Sequence, residues 1–171
     1  MKLTLKVFAA VTAVLLLLAA PQQGWAQSLR PYEPLNPAKA QTLTTSPLTI
    51  ISNGKTHKFT VELAETDEQR DIGLMHRTQL APDHGMLFDF HDAQIVRFWM
   101  RNTFIPLDML FIRGDGTVVS VFKNVRPHDE APVGPNARVQ AVLELAAGTA
   151  DRLDLKMGDK VTHTIFKTAA K

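Results

Sequence analysis

Residues 48–63, LTIISNGKTHKFTVEL, are the stretch on which the fold turns. Residues 48–52 are rich in β-branched side chains, and 59–63 alternate apolar with polar. Asn53-Gly54 between them accepts the positive φ values of a type I′ turn, so the segment predicts an antiparallel hairpin. Just beyond it, Thr66-Asp67-Glu68-Gln69 has the spacing of a capping box and predicts a helix from Asp67 to about His76. Further along, residues 85–90, 95–100, 108–113, 117–123, 139–145 and 160–167 predict short strands, with Gly114-Asp115-Gly116 as a turn. Thr149 is placed to cap a short helix running to Leu155, which Gly158 ends. Seven or eight short strands with two short helices imply a mainly β (β-rich α+β) domain. The expected form is a compact antiparallel sandwich or squat barrel. No strand leads into a glycine-rich phosphate loop, which argues against a nucleotide fold.

Residues 1–26 read as a secretory signal. Lys2 and Lys6 form a positive start, residues 7–20 are apolar, and Gly24-Trp25-Ala26 offers small residues where a signal peptidase reads. Cleavage is expected after Ala26, leaving 145 of the 171 residues, in the periplasm or outside the cell. Contact with a membrane is then transient, through the signal alone. The chain has 19 basic and 17 acidic residues. Setting Lys2 and Lys6 aside leaves 17 against 17, so the mature chain is neutral and gives no support for nucleic-acid binding. With no Cys, no disulfide, thiolate nucleophile or thiolate metal ligand is available. Residues 27–47 contain Pro31, Pro34, Pro37 and Pro47 and read as an extended arm. Residues 48–168 then form a single β-rich domain.

The candidate site residues are polar groups inside apolar strands. In FWMRNTFIPLDMLFI (98–112), alternation puts Asp108, Leu110 and Ile112 on one face and Met109 and Phe111 on the other. Both faces are apolar, so the strand is expected to be central, with Asp108 carried into the core or its rim. A buried carboxylate must be paired, hydrogen-bonded or protonated. Glu144 interrupts VLEL (142–145) in the same way. Two carboxyls across a sheet have the make-up of a glycosidase site, and equally of structural pairs with Arg. Arg70 and Arg77 are seven apart on the predicted helix and so share a face, each placed to pair with Asp108 or Glu144. That pairing is the preferred structural account. Asn102 suits turn hydrogen bonds, and Trp99 suits either the core or the wall of a cleft. The six His form no compact ligand pair, and Met75, Met86, Met100 and Met109 read as core filler before copper ligands. No metal and no cofactor is expected.

Five ordered motifs carry a family resemblance: GLMHR (73–77), GMLF (85–88), FWMRNTFIPLDMLFI (98–112), DGTV (115–118) and AVLELAAG (141–148). Together they resemble the bacterial and archaeal family catalogued as domain of unknown function 192, over about residues 48–166. The resemblance implies a compact, sandwich-like β fold that often follows a signal peptide, and it implies no particular reaction. The family's polar motif positions fall on Arg70, Arg77, Asn102, Asp108 and Glu144. Two departures stand out. Many relatives carry Cys in the long loop, where this chain has RPHDEAPVGPNA (126–137), and many have an aromatic residue just before VLEL, where this chain has Gln140 and Ala141.

Three functions are weighed on this basis. The first is an exported envelope domain that binds a small molecule, glycan or peptide without catalysis, near Arg77, Trp99, Asn102, Asp108 and Glu144. The second is a structural or interaction module of the cell envelope, working through the Pro-rich arm or loop 126–136. The third is a small hydrolase using Asp108 and Glu144 as acid and base. Oligomeric state is left open.

Overall fold

The computed structural model describes residues 32–166, so the expected signal at 1–26 lies outside the described residues. Asn53 and Gly54 take φ of 50° and 73° and fold β1 (Thr45–Ser52) back on β2 (Lys55–Ala64), with Ser52 opposite Lys55. The capping box also forms. Thr66 Oγ1 accepts from Gln69 N–H at 3.2 Å, and Gln69 Oε1 accepts from Thr66 N–H at 3.1 Å. The helix they start, α1 (Asp67–Ile72), is shorter than expected. Gly73 leaves helical geometry at φ 48° and ends it, so 74–76 form turns.

The chain returns as β3 (His84–Gln94), which pairs with β2 in parallel, Val61 beside Gly85. Parallel neighbours need a crossover connection, and the α1 segment supplies it. The other pairings, among β4 (Leu107–Ile112), β5 (Val118–Val125), β6 (Val139–Ala146), β7 (Lys160–Thr162) and their neighbours, are antiparallel. A second short helix, α2 (Thr149–Arg152), follows β6. The seven strands form one sheet in the order β5-β4-β6-β3-β2-β1-β7. The domain is therefore mainly β, a curled half-barrel with two short helices.

Two expected strands changed. Residues 95–100 alternate as a strand should, with Val96 and Met100 buried and Ile95 and Trp99 exposed, yet they join no ladder. Only Phe98 bridges to Val133, so the alternation records a segment lying over the sheet's outer face. The last strand stops at Thr162 and gives way to a turn.

The curl brings the sheet's ends together. Thr117 bridges to Lys160, and Val161 N–H donates to Gly116 O at 2.8 Å. At Gly116, with φ 78°, a Cβ would lie 2.2 Å from Val161 O. Gly116→Ala is thus both strained and clashing, and a loss of at least about 2 kcal/mol is expected in urea unfolding. A loss below about 0.5 kcal/mol would show that the two edges are not held together there.

The sheet has an apolar cluster on each side. Leu48, Ile50, Phe59, Val61, Leu87, Leu110 and Leu143 fill the inner side, joined by Ala150, Leu155 and Phe166. Met86, Phe88, Leu107, Met109, Phe111 and Val142 form the outer cluster, against which Phe98 and Val133 pack. Every residue of β4 is buried, as its doubly apolar pattern demands.

Residues 32–44 lie along the domain with one 3-10 turn at Pro37–Lys39. Leu43 N–H donates to Glu62 Oε2 at 2.7 Å, and Gln41 Nε2 donates to the carbonyls of Gln69 and Gly73. The arm therefore finds backbone and side-chain partners on β2 and α1.

Candidate functional site: an aromatic cavity over a lone carboxyl

Strand register decides what the two candidate carboxyls can do. Glu144 stands opposite Met86 of β3 and Met109 of β4, whereas Asp108 stands opposite Leu145. Cross-strand partners share a face and adjacent residues alternate, so Asp108 points to the inner side and Glu144 to the outer side. The two do not face one cleft. An acid–base pair of Asp108 and Glu144 has no geometric basis in this fold.

Asp108 has a structural occupation. Leu107 pairs with Val125 and Met109 with Phe122, so β5 bulges at Lys123 and Asn124 opposite Asp108. The carboxylate fills the bulge, Oδ1 accepting from Asn124 N–H at 2.8 Å. Its Oδ2 accepts from Ala150 N–H at 2.7 Å, which serves α2, whose own N-cap, Gly148, has no side chain to offer. Asp108 is 0% exposed and joins β4, β5 and α2.

The expected arginine pairs also rearrange. Because α1 stops at Ile72, Arg77 lies beyond it and no longer shares a helical face with Arg70. Arg77 instead pairs with Glu62 of β2, NH1 to Oε1 at 2.7 Å, and donates to Gln41 O. Arg70 is bound to Asp67 and to the carbonyls of Glu65 and Asp89. Asn102, at φ 51°, accepts Glu33 N–H on its side chain and His76 N–H on its carbonyl. It is a turn residue that also anchors the arm.

Glu144 lines a cavity of about 450 Å³ on the outer side of the sheet. Phe88 and Phe90 of β3 form part of its wall, and Phe98, Trp99 and Thr103 come from the segment between β3 and β4. Residues 70–75, at the end of α1 and the turn after it, close another side, with Pro132 from the long loop. Trp99 is 55% exposed and Glu144 4%. Of the residues singled out from sequence, the cavity unites Trp99, Glu144 and Arg70; Arg77, Asn102 and Asp108 are not among its lining residues.

Among the described residues, Glu144 has no hydrogen-bond or ion-pair partner, and burial alone pushes its carboxyl up to about 8. A group so placed is mainly neutral at pH 7 and presents an O–H donor or, once ionised, an uncompensated charge. The other charged lining groups are engaged or solvated. The Arg70 guanidinium lies 5.1 Å from the centroid of the Phe90 ring and donates to Asp67 and to the carbonyls of Glu65 and Asp89. Arg97 is exposed and bound to the carbonyls of Val96 and Pro135 and to Asn136. Asp71 is exposed.

The sequence-level choice missed Phe88, Phe90, Phe98 and the turn after α1. A clue was present, since GLMHR and GMLF hold several of these lining positions. Reading them as a wall requires knowing that the 95–106 segment lies over the sheet and not within it.

No curated protein matches the chain. Solved structures do. One, from Sinorhizobium meliloti 1021 and provisionally described as a transcription regulator, is 46% identical to it. That match covers 74% of this chain and 98% of the other, with a TM-score of 0.72. Another, a protein of unknown function from Novosphingobium aromaticivorans DSM 12444, is 37% identical over 77% of this chain and 99% of its own, with a TM-score of 0.69. The sequence model of domain of unknown function 192, described as an uncharacterized ACR, matches residues 48–163. That span holds every residue of the cavity and the whole sheet except the first three residues of β1, and on it the chain belongs to the domain of unknown function 192 family.

Proposed function

We propose that the protein is an exported binding module whose aromatic cavity takes a small, largely apolar organic molecule. The observation that supports this most directly is the cavity itself. Its volume of about 450 Å³ lies in the range of small-molecule sites, and its wall is largely aromatic with two buried polar residues, Glu144 and Thr103. Recognition suits this make-up better than turnover. The cavity's other carboxyl, Asp71, is exposed, and Asp108 is on the other side of the sheet, so the buried acid has no second buried carboxyl to act with. Export rests on the signal read at residues 1–26 and sets the cavity to sample molecules of the periplasm or the exterior.

Trp99 makes the test direct, because Trp25 is the only other Trp in the chain. In a Trp25→Phe background, benzyl alcohol and toluene are expected to shift Trp99 emission in a saturable way. Ile72→Phe, which adds bulk to the lining, is expected to weaken that binding at least tenfold. Emission that stays unchanged up to millimolar probe, or equal binding by Ile72→Phe, would remove the case for the cavity as a binding site.

A further inference from the structure

We infer that the cavity's ligand is a small organic cation, an amine with an aryl or alkyl body, whose ammonium group pairs with Glu144. This rests on the binding reading above and names its ligand class. Four observations carry it. Glu144 is buried in the cavity without a hydrogen-bond or ion-pair partner among the described residues. A carboxyl held that way costs stability until something supplies the missing charge. The wall around it is formed by Phe88, Phe90, Phe98 and Trp99, and ring faces attract cations. The wall already shows this preference, because the Arg70 guanidinium lies beside Phe90 at 5.1 Å from its centroid. Finally, the two guanidiniums of the lining are oriented by other groups of the protein. Arg70 makes three hydrogen bonds, to Asp67 and two carbonyls, and Arg97 three, to two carbonyls and Asn136, so an anion competes with acceptors already in place.

The proton balance is definite. At pH 7 the acid form of Glu144 meets the ammonium ion, the carboxylate–ammonium pair forms, and one proton leaves to solvent. Affinity therefore rises with pH while Glu144 is neutral in the free protein and levels off where it ionises. The groups that face Glu144 do not obscure this. Met86 and Met109 flank it across the sheet and do not titrate. The cavity's remaining charged residues are Arg70, Asp71 and Arg97.

The experiment compares three probes of one shape on the purified chain by calorimetry: benzylammonium, benzyl alcohol and benzoate. Benzylammonium is expected to bind at least tenfold more tightly than benzyl alcohol at pH 7.5. Its affinity is expected to fall about tenfold per pH unit down to pH 5.5, and its observed heat to change between buffers of different ionisation enthalpy by one released proton. Glu144→Gln, which copies the shape of the neutral acid, is expected to abolish both the preference and the slope. Stronger binding of benzyl alcohol or benzoate, or a slope that persists in Glu144→Gln, overturns the cation and leaves the cavity as a binding site. Binding of none of the three overturns both.

Discussion

Glu144→Gln is expected to stabilise the protein, by an amount that grows with pH. In the unfolded chain the carboxyl titrates near its ordinary value of 4.5, whereas in the folded protein burial holds it at about 8. Between those values the folded state keeps a proton that the unfolded state has released. Stability then falls as pH rises, because the unfolded state binds fewer protons. Below pH 4.5 both states are protonated and the two proteins should unfold alike. By pH 7 the wild type should be roughly 3 kcal/mol less stable than the Gln variant, and the gap should widen until about pH 8 and then hold. Urea unfolding of both proteins at pH 4, 6, 7 and 8 measures this. Parallel stability profiles would mean that Glu144 meets enough water or donors to ionise freely when folded. A residue that can be improved so simply is one whose presence the fold alone does not explain, which is the pattern of a functional group.

Asp108→Asn should do the opposite. Both carboxylate oxygens accept backbone N–H groups, from Asn124 and Ala150, at a position with 0% exposure. Asn retains one acceptor and turns an NH2 toward the other donor. One buried N–H then loses its partner and a second donor is set against it, while the surviving bond loses its charge assistance. A loss of about 3 kcal/mol or more in urea unfolding is expected at neutral pH, and more for Asp108→Ala, which abandons both donors. A loss under about 1 kcal/mol would show that the bulge in β5 and the start of α2 can find water instead. The contrast between the variants is the sharper test. Two acidic residues in neighbouring strands, each inside an apolar run, should respond with opposite signs.

That contrast also marks how far sequence can be read. The β1–β2 hairpin was legible because Asn53-Gly54 determines its geometry locally, and the capping box at Thr66 and Gln69 was legible for the same reason. The double burial of β4 followed from its composition. Glu144 and Asp108 were both recognisable as misplaced polar groups, but their separation was not. It depends on β6 pairing Met109 with Glu144, a register set by contacts distant in sequence. The arginine pairs failed for a local reason of small size. Gly73 cuts α1 short, and the helical spacing that joined Arg70 to Arg77 does not survive past Ile72. The strand expected at 95–100 failed because a period of two records alternate burial, and a segment crossing over a sheet can show it without entering a ladder.

The place of β6 between β3 and β4 has a kinetic consequence. Those two strands are consecutive in the chain, yet neither pairs with the other. Their shared partner begins only at Val139, so a chain emerging from its N-terminus has no continuous sheet until that late segment is available. The β1–β2 and β4–β5 hairpins can flicker into place early, but joining them into one sheet waits on long loop closures whose entropy must be met before the pairing is rewarded. Such a chain should fold late, cooperatively and on the millisecond-to-second scale, remaining threadable for most of its synthesis.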